Sequence, residues 1–227
     1  MKLFSKIKEQ GFAHTLELLF NRFVPAWIFR FSVGDVFELD TTQLTLVHDN
    51  LDNSEFHIRC VDDPNERDQL RETTWNSVPL KTSKNDYGYA ISRHDEPSLT
   101  LGGVWGGIGS FQESNLGFQL QFKDFEGWIY CAYVDERARG AGIYKRLLSF
   151  AAKDLNEKGH SRLLVIVQPW NRASTYIHKK YSKANIGRIS VIRIFNIAFV
   201  FRRGKVKKNR SFTTQVSLNP VELTVNS

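Results

Sequence analysis

An apolar strand at 128–134 runs into a short basic turn holding two glycines, the turn opens a long amphipathic helix, and the wholly apolar run LLVIV (163–167) comes next. No other stretch constrains the fold as tightly. Over 141–158, Ile143, Leu147, Phe150, Ala151 and Leu155 recur on one helical face, and Gly159 can end the helix. A strand that is apolar at every position is buried on both faces, which is the mark of a parallel neighbour. An α/β architecture with a mixed central sheet follows.

The rest of the chain is read by the same periodicities. Residues 65–75, after Asp62-Asp63-Pro64, predict a helix, as do 171–181. Residues 42–48, 87–93, 99–105 and 117–122 predict strands, and 186–194 with 197–201 closes the sheet. Glycines 102, 103, 106, 107 and 109 around Trp105 mark a bulge or a place where another backbone or a ligand comes close. Before Pro25, Leu3, Phe4, Ile7, Phe12, Leu16, Leu19, Phe20 and Phe23 give an N-terminal amphipathic helix. Its preferred role is packing on the following domain, with peripheral membrane contact as the sharper alternative. The expected organisation is a helical extension at 1–29, an α/β domain at 30–203 and a basic, polar tail at 204–227.

Composition narrows the class. The chain has 227 residues, 41% of them hydrophobic, enough for one sizeable core, since chains of this size bury roughly 70–75% of their unfolded surface. No apolar run reaches the ~18–20 residues of a membrane span. Lys6, Lys8 and Glu9 break up the start, so no secretory signal is read and a cytoplasmic protein is expected. Cys60 and Cys131 have no Cys or His at metal-ligand spacing, which predicts two reduced thiols and no metal. The net charge is +7, but six basic residues lie in 202–210, and without them the chain is at +1. A nearly neutral body does not predict a nucleic-acid partner. The basic run reads as a solvated turn and tail, with acidic-lipid contact as the lesser reading.

The chemistry lies in Asp135-Glu136-Arg137-Ala138-Arg139-Gly140-Ala141-Gly142-Ile143-Tyr144. Backbone N–H groups at a helix start lack partners, and the helix dipole favours an anion there. Gly140 and Gly142 remove Cβ atoms from the approach, and Arg137 and Arg139 add permanent positive charge, so a diphosphate is the natural guest. The nucleotide P-loop needs Gly-Lys-Ser/Thr and the dinucleotide fingerprint needs a third glycine; here Ile143 and Lys145 stand at those positions.

The turn does match R-x-x-G-x-G, as Arg137-Ala138-Arg139-Gly140-Ala141-Gly142, and there the sequence resembles the GNAT superfamily of N-acetyltransferases. Asn171-Arg172-Ala173-Ser174 then resembles the family's N-x-x-S/A helix, although Ser182-Lys183 replaces the usual Gly-Phe beyond it. The resemblance implies a GNAT-like mixed sheet flanked by helices and acetyl-CoA as co-substrate. It assigns coenzyme contacts to Ala132, Val134, Arg137, Arg139, Gly140, Ala141, Gly142, Ile143, Asn171 and Ser174. Asn171 is read equally as a helix cap. Glu126, placed relative to Arg137 like the catalytic Glu of the histone-acetyltransferase branch, becomes the candidate base, with Glu113 a weaker alternative. His178 stands where many members carry a proton-donating Tyr, and Tyr176 is its rival. The implied activity is direct acetyl transfer to a primary amine of a small molecule. An amino sugar is one acceptor class, with the aromatic, glycine-rich stretch around Trp105 as its platform. The alternative is a non-catalytic coenzyme-binding or docking module that uses the N-terminal helix and the 202–210 run.

Overall fold

Carboxylates set the first helix starts. Asp40 accepts from the Gln43 N–H at 3.0 Å, and Asp63 accepts from those of Asn65 and Glu66 at 2.9 and 3.0 Å. The computed structural model describes residues 23–25, 28–74, 86–113, 118–195, 197–208 and 221–225. In chain order it contains β1 (Phe29–Leu39), α1 (Thr41–Asp49), β2 (Phe56–Val61), α2 (Pro64–Thr73), β3 (Tyr87–Arg93), β4 (Gly102–Ile108), β5 (Ser110–Glu113) and β6 (Phe118–Gln121). Then come β7 (Glu126–Val134), a 3-10 turn (Glu136–Ala138), α3 (Ile143–Glu157), β8 (Arg162–Val167), α4 (Arg172–Lys180), β9 (Ser182–Ile194), β10 (Ile197–Gly204), β11 (Val206–Lys208) and β12 (Val221–Val225). Eight strands hydrogen-bond in the order β10-β9-β1-β8-β7-β4-β3-β2, and four more in the order β11-β12-β6-β5. The larger sheet is mixed: β7 and β8 are parallel, whereas β2, β3, β4 and β7 pair antiparallel.

The chain divides into two compact units. In the unit formed by Glu38–Phe111 and Phe122–Val165, the core holds Tyr89, Trp105, Trp128, Leu147 and Leu148. Two of its β4 glycines answer to helix packing, while on Gly102 a Cβ would lie 2.8 Å from the Tyr133 carbonyl oxygen of the neighbouring strand. A Cβ on Gly106 would lie 2.8 Å from Leu155 Cδ1 on α3, and one on Gly103 would lie 2.3 Å from Leu70 Cδ1 on α2. Helix side chains, not a ligand, fill that space on both faces. Trp105 likewise forms no sugar platform: it is fully buried, its indole N–H donates to Thr74 Oγ1 at 3.0 Å, and the Arg67 guanidinium stacks on it. The second unit, Met1–Phe37, Gln112–Gln121 and Ile166–Ser227, buries Val36, Phe37, Tyr181, Ile189, Val191 and Val200.

Residues 163–167 form the expected strand, with Leu163 and Leu164 fully buried and β7 as the parallel neighbour. The expected strand at 42–48 is instead α1. Thr41 and Leu44 face the core at helical spacing, and the β-branched Thr45 that read as strand donates its hydroxyl to the Thr41 carbonyl at 2.9 Å. β1 and β2 were not anticipated. β11 and β12 lie within the stretch read as a tail. Nearly all of the predicted N-terminal helix lies outside the described residues. Among the described residues, no helix is long and apolar enough to cross a membrane, and no cluster of His, Cys, Asp and Glu could hold a metal.

Candidate functional site

β7 changes partners along its length. Its parallel ladder with β8 runs from Glu126↔Arg162 to Ile129↔Val165, and the strand then continues as far as Val134 against β4. On the β4 side the register shifts between Trp105↔Tyr130 and Gly103↔Tyr133, so Cys131 and Ala132 together oppose Val104. Cys131 has φ +48°, a left-handed conformation that is rare for a residue with a side chain. The bulge therefore turns the main chain at the point where the β8 ladder has ended, and bulges of this kind re-aim polar groups beside active sites.

The strand leads directly into the basic turn. Asp135 accepts from the Arg137 N–H at 2.9 Å and opens the 3-10 turn. The Arg137 guanidinium forks onto the same carboxylate at 2.9 and 3.0 Å, and these bonds hold the Asp135 carboxyl down to about 2. Arg139 lies 3.4 Å from Glu136. Gly140 and Gly142 have φ +88° and +73°, and α3 begins with no side-chain cap. A Cβ on Gly140 would meet nothing within 4 Å, and one on Gly142 would meet only Lys145 Cε at 4.0 Å. The glycines thus serve the left-handed backbone and leave open space before an uncapped helix start. That shape, with two arginines beside it, fits a diphosphate.

Of the expected coenzyme contacts, Ala132, Val134, Arg137, Arg139, Gly140, Ala141, Gly142 and Ile143 come together on this one continuous turn. Glu126 does not join them. It opens β7 at the opposite end, is 2% exposed, and accepts from Arg162 Nη1 at 2.6 Å and from the Lys123 N–H at 3.0 Å. A carboxylate engaged on both oxygens in this way straps β7 to β8.

The remaining expected residues lie on α4 in the other unit. Asn171 is the cap: its Oδ1 accepts from the Ser174 N–H at 3.1 Å, which leaves its Nδ2 outside that bond. His178 is 1% exposed, with Nδ1 2.7 Å from the Ser174 carbonyl oxygen and 3.2 Å from Ser174 Oγ, and its ring stacks on Phe37. Burial lowers its pKa, so the ring is neutral at pH 7. A carbonyl can only accept, which assigns the proton to Nδ1 and the lone pair to Nε2. Tyr176, two residues earlier, points away and is 69% exposed.

Sequence reasoning missed Asp86. It is buried, accepts from the Tyr130 hydroxyl, and its main-chain carbonyl accepts from Arg67 Nη2 at 2.6 Å. Burial pushes its carboxyl up to about 6 and drives the Tyr130 phenol well above its ordinary value. Tyr130 is the last residue before the bulge, so this pair braces the backbone there. Nothing in the polar stretch 82–86 distinguishes Asp86 from a loop residue. Neither Cys60 nor Cys131 is in a disulfide, and burial raises Cys60 to about 11.

The profile of the Acetyltransferase (GNAT) family matches residues 52–182. Among solved structures the fold is similar to that of a Drosophila protein, at 15% identity and a TM-score of 0.51, covering 80% of this chain and 56% of that one. It is similar as well to a GCN5-related N-acetyltransferase from Kribbella flavida, at 10% identity and a TM-score of 0.51, covering 80% of this chain and 62% of that one. This chain therefore spans less than two thirds of either relative, and at such identities the likeness is one of fold. No curated protein matches the sequence. The profile covers more than half of the residues and includes the strand, the glycine turn and both motifs: the chain belongs to the GNAT family of acetyltransferases.

Proposed function

We propose that this protein is an acetyl-CoA-dependent N-acetyltransferase that moves the acetyl group directly to a primary amine of a small molecule, with amino sugars as the first acceptors to try. One observation carries the reading. β7 parts from β8 after Ile129, its backbone turns at Cys131, and it runs straight into the uncapped, glycine-opened start of α3. A thioester end and a diphosphate end can thus be served by one continuous segment.

Bound acetyl-CoA supplies an activated carbonyl that an amine attacks while the coenzyme thiolate leaves. In this reading the main-chain amides of Gly140–Ile143 hold the diphosphate, with Arg139 and with an Arg137 that exchanges Asp135 for phosphate. The main chain at Ala132 and Val134 offers fixed donors to the oxygen on which charge develops, the kind of contact whose removal costs about 10²–10³ in rate. Asn171 and Ser174 are assigned to the coenzyme arm. A lysine-like amine has a pKa of ~10.4 and must lose a proton first. His178, neutral at pH 7, is assigned to move the proton, with Tyr176 as its rival; such a group contributes about 10²–10⁴-fold. Glu126 acts as the strap and not as the base.

Calorimetry with acetyl-CoA and with CoA tests the binding premise, and release of free thiol over a panel of amines tests the reaction. Binding together with amine-dependent thiol release supports the proposal; no binding of either coenzyme refutes it. The full engagement of Glu126 by Arg162 and Lys123 is what favours a second reading, a coenzyme-binding module without turnover. That reading prevails if acetyl-CoA binds, no amine releases thiol, and His178→Ala behaves like the parent.

A further inference from the structure

The β9–β10 hairpin is apolar on both faces. One face is core: Ile189, Val191 and Val200 are buried. The register Ile197↔Ile194, Phe199↔Ile192, Phe201↔Ser190 and Arg203↔Arg188 sets the other. On that face Ile194, Ile197, Phe199 and Phe201 are 42%, 40%, 36% and 54% exposed. A solvated face of an antiparallel sheet normally carries polar residues at these alternate positions. An exposed apolar row of this size marks an interaction surface. At the tip Phe195 is 56% exposed and held at φ +48°, its N–H donating to the Ile28 carbonyl at 2.7 Å. A bulky aromatic in the left-handed region is uncommon, and the two-residue loop between paired Ile194 and Ile197 accounts for it here.

Charge decides what the face meets. The base of the hairpin forms a groove of about 440 Å³ lined by Val33, Arg188, Ser190, Phe201, Arg202 and Arg203. Asp35 pairs with Arg188 at 2.6 and 2.9 Å, and among the described residues no acid lines the groove. The sequence continues with Lys205, Lys207, Lys208 and Arg210. Two copies joined through this face would bring their basic residues together, whereas an anionic lipid surface complements them. Phe201 and Arg203 are two residues apart on one face, so a hairpin lying flat puts rings and guanidinium at the same depth. Standing on its tip, it would leave Arg203 about 20 Å from Phe195's level, well beyond the ~8–10 Å over which surface charge is felt.

We propose that the outward face of the β9–β10 hairpin docks flat on an anionic lipid bilayer, with Phe195, Phe199 and Phe201 at the acyl boundary and the Arg203 end among acidic headgroups. The proposal is independent of acetyl transfer.

Flotation of the full chain uses vesicles of phosphatidylcholine alone and of an equal mixture with phosphatidylglycerol, at low and high salt. The parent is expected to float with the mixed vesicles at low salt and to remain behind with phosphatidylcholine alone. Each basic charge near such a surface is worth about fivefold in partition. Arg203→Glu, a change of two charges, should therefore weaken binding roughly 25-fold, while Arg203→Lys retains it. Phe195→Ser with Phe201→Ser should weaken it at least tenfold. These side chains are exposed, and circular dichroism checks that each variant folds. Equal flotation of parent and hairpin variants overturns the proposal and assigns binding to another surface. Absence of flotation, with a dimer in sedimentation that Phe201→Ser disperses, overturns it in favour of a second copy. Equal partition into both vesicle types overturns the role given to charge.

Discussion

Arg162 Nη1 donates to Glu126 Oε1 at 2.6 Å across the first rung of the β7–β8 ladder, and the same guanidinium reaches Glu38 at 3.0 Å through Nε. Glu126 is buried and Arg162 is 10% exposed, so losing Arg162 strands the Glu126 charge, a change that typically costs about 3–5 kcal/mol, whereas losing Glu126 leaves Arg162 its bond to Glu38. Glu126→Gln should lower the unfolding free energy at the small end of that range, because the amide oxygen can still accept. Arg162→Met should cost more, and the double variant less than the sum. Urea denaturation of the four proteins checks this. Folded Glu126→Gln should release thiol from acetyl-CoA within a few-fold of the parent, an outcome a catalytic base would not allow.

Asp135 holds Arg137 by two bonds in an exposed turn. A diphosphate must win that guanidinium from its neighbour. Asp135→Asn keeps an oxygen for the Arg137 N–H while removing the competing charge and its repulsion of the phosphates. Coenzyme A should bind several-fold tighter to this variant by calorimetry, and the gain should shrink as salt is raised.

Gly140 sits at φ +88° with open space where a Cβ would go. Gly140→Ala meets no clash and is expected to cost about 1–2 kcal/mol through the left-handed backbone alone. In the proposed reading its methyl group would stand where the diphosphate approaches. Affinity for coenzyme A should fall at least tenfold, while turnover of S-acetyl-pantetheine, which lacks the diphosphate, stays level. Parallel losses for both substrates would separate the turn from phosphate binding.

What the sequence made legible is what local chemistry dictates. The 128–167 segment showed its strand, turn, helix and buried strand because apolar period and glycine punctuation agree at every step. The 137–142 turn could be read as a candidate diphosphate site because it holds Gly140, Gly142 and two arginines. Residues 42–48 misled because Thr45 and Val47 carry strand propensity, whereas Asp40 as a cap and the burial of Thr41 and Leu44 decided for helix. Trp105 looked like a platform because sequence cannot show that α2 supplies Thr74 and Arg67 to cover it. Asp86 was invisible for the same reason: its partners Tyr130 and Arg67 are distant in sequence.

Asp86 gives a pH signature of known sign. Its carboxyl rises from 3.8 to about 6 on folding, with burial the leading cause. The folded state therefore holds the proton more tightly than the unfolded chain. The resulting stabilisation is full below about pH 4 and is lost as pH rises through 6, roughly 3 kcal/mol in order of magnitude. Asp86→Asn, which still accepts from Tyr130, should be at least as stable as the parent at pH 7.5 and should lack this dependence. Urea denaturation at pH 4.5 and 7.5 makes the comparison.

His178 carries the opposite sign. Burial lowers its pKa from 6.5, against the smaller upward pull of its bond to Ser174. The unfolded chain takes up the proton first as pH falls, so the stabilisation is complete above about 6.5 and is lost on acidification towards the folded value. In the parent the opposite Asp86 slope masks this below about pH 6.5. The Asp86→Asn protein should reveal it as a decline in unfolding free energy across that window. Adding His178→Phe, which preserves a ring against Phe37, should flatten the decline. The same substitution separates the two roles of the imidazole. If His178 moves the reaction's proton, kcat for thiol release falls by about 10²-fold or more and its acidic limb disappears, with KM for acetyl-CoA little changed. If the ring only packs α4 against Phe37, the stability slope flattens and kcat holds.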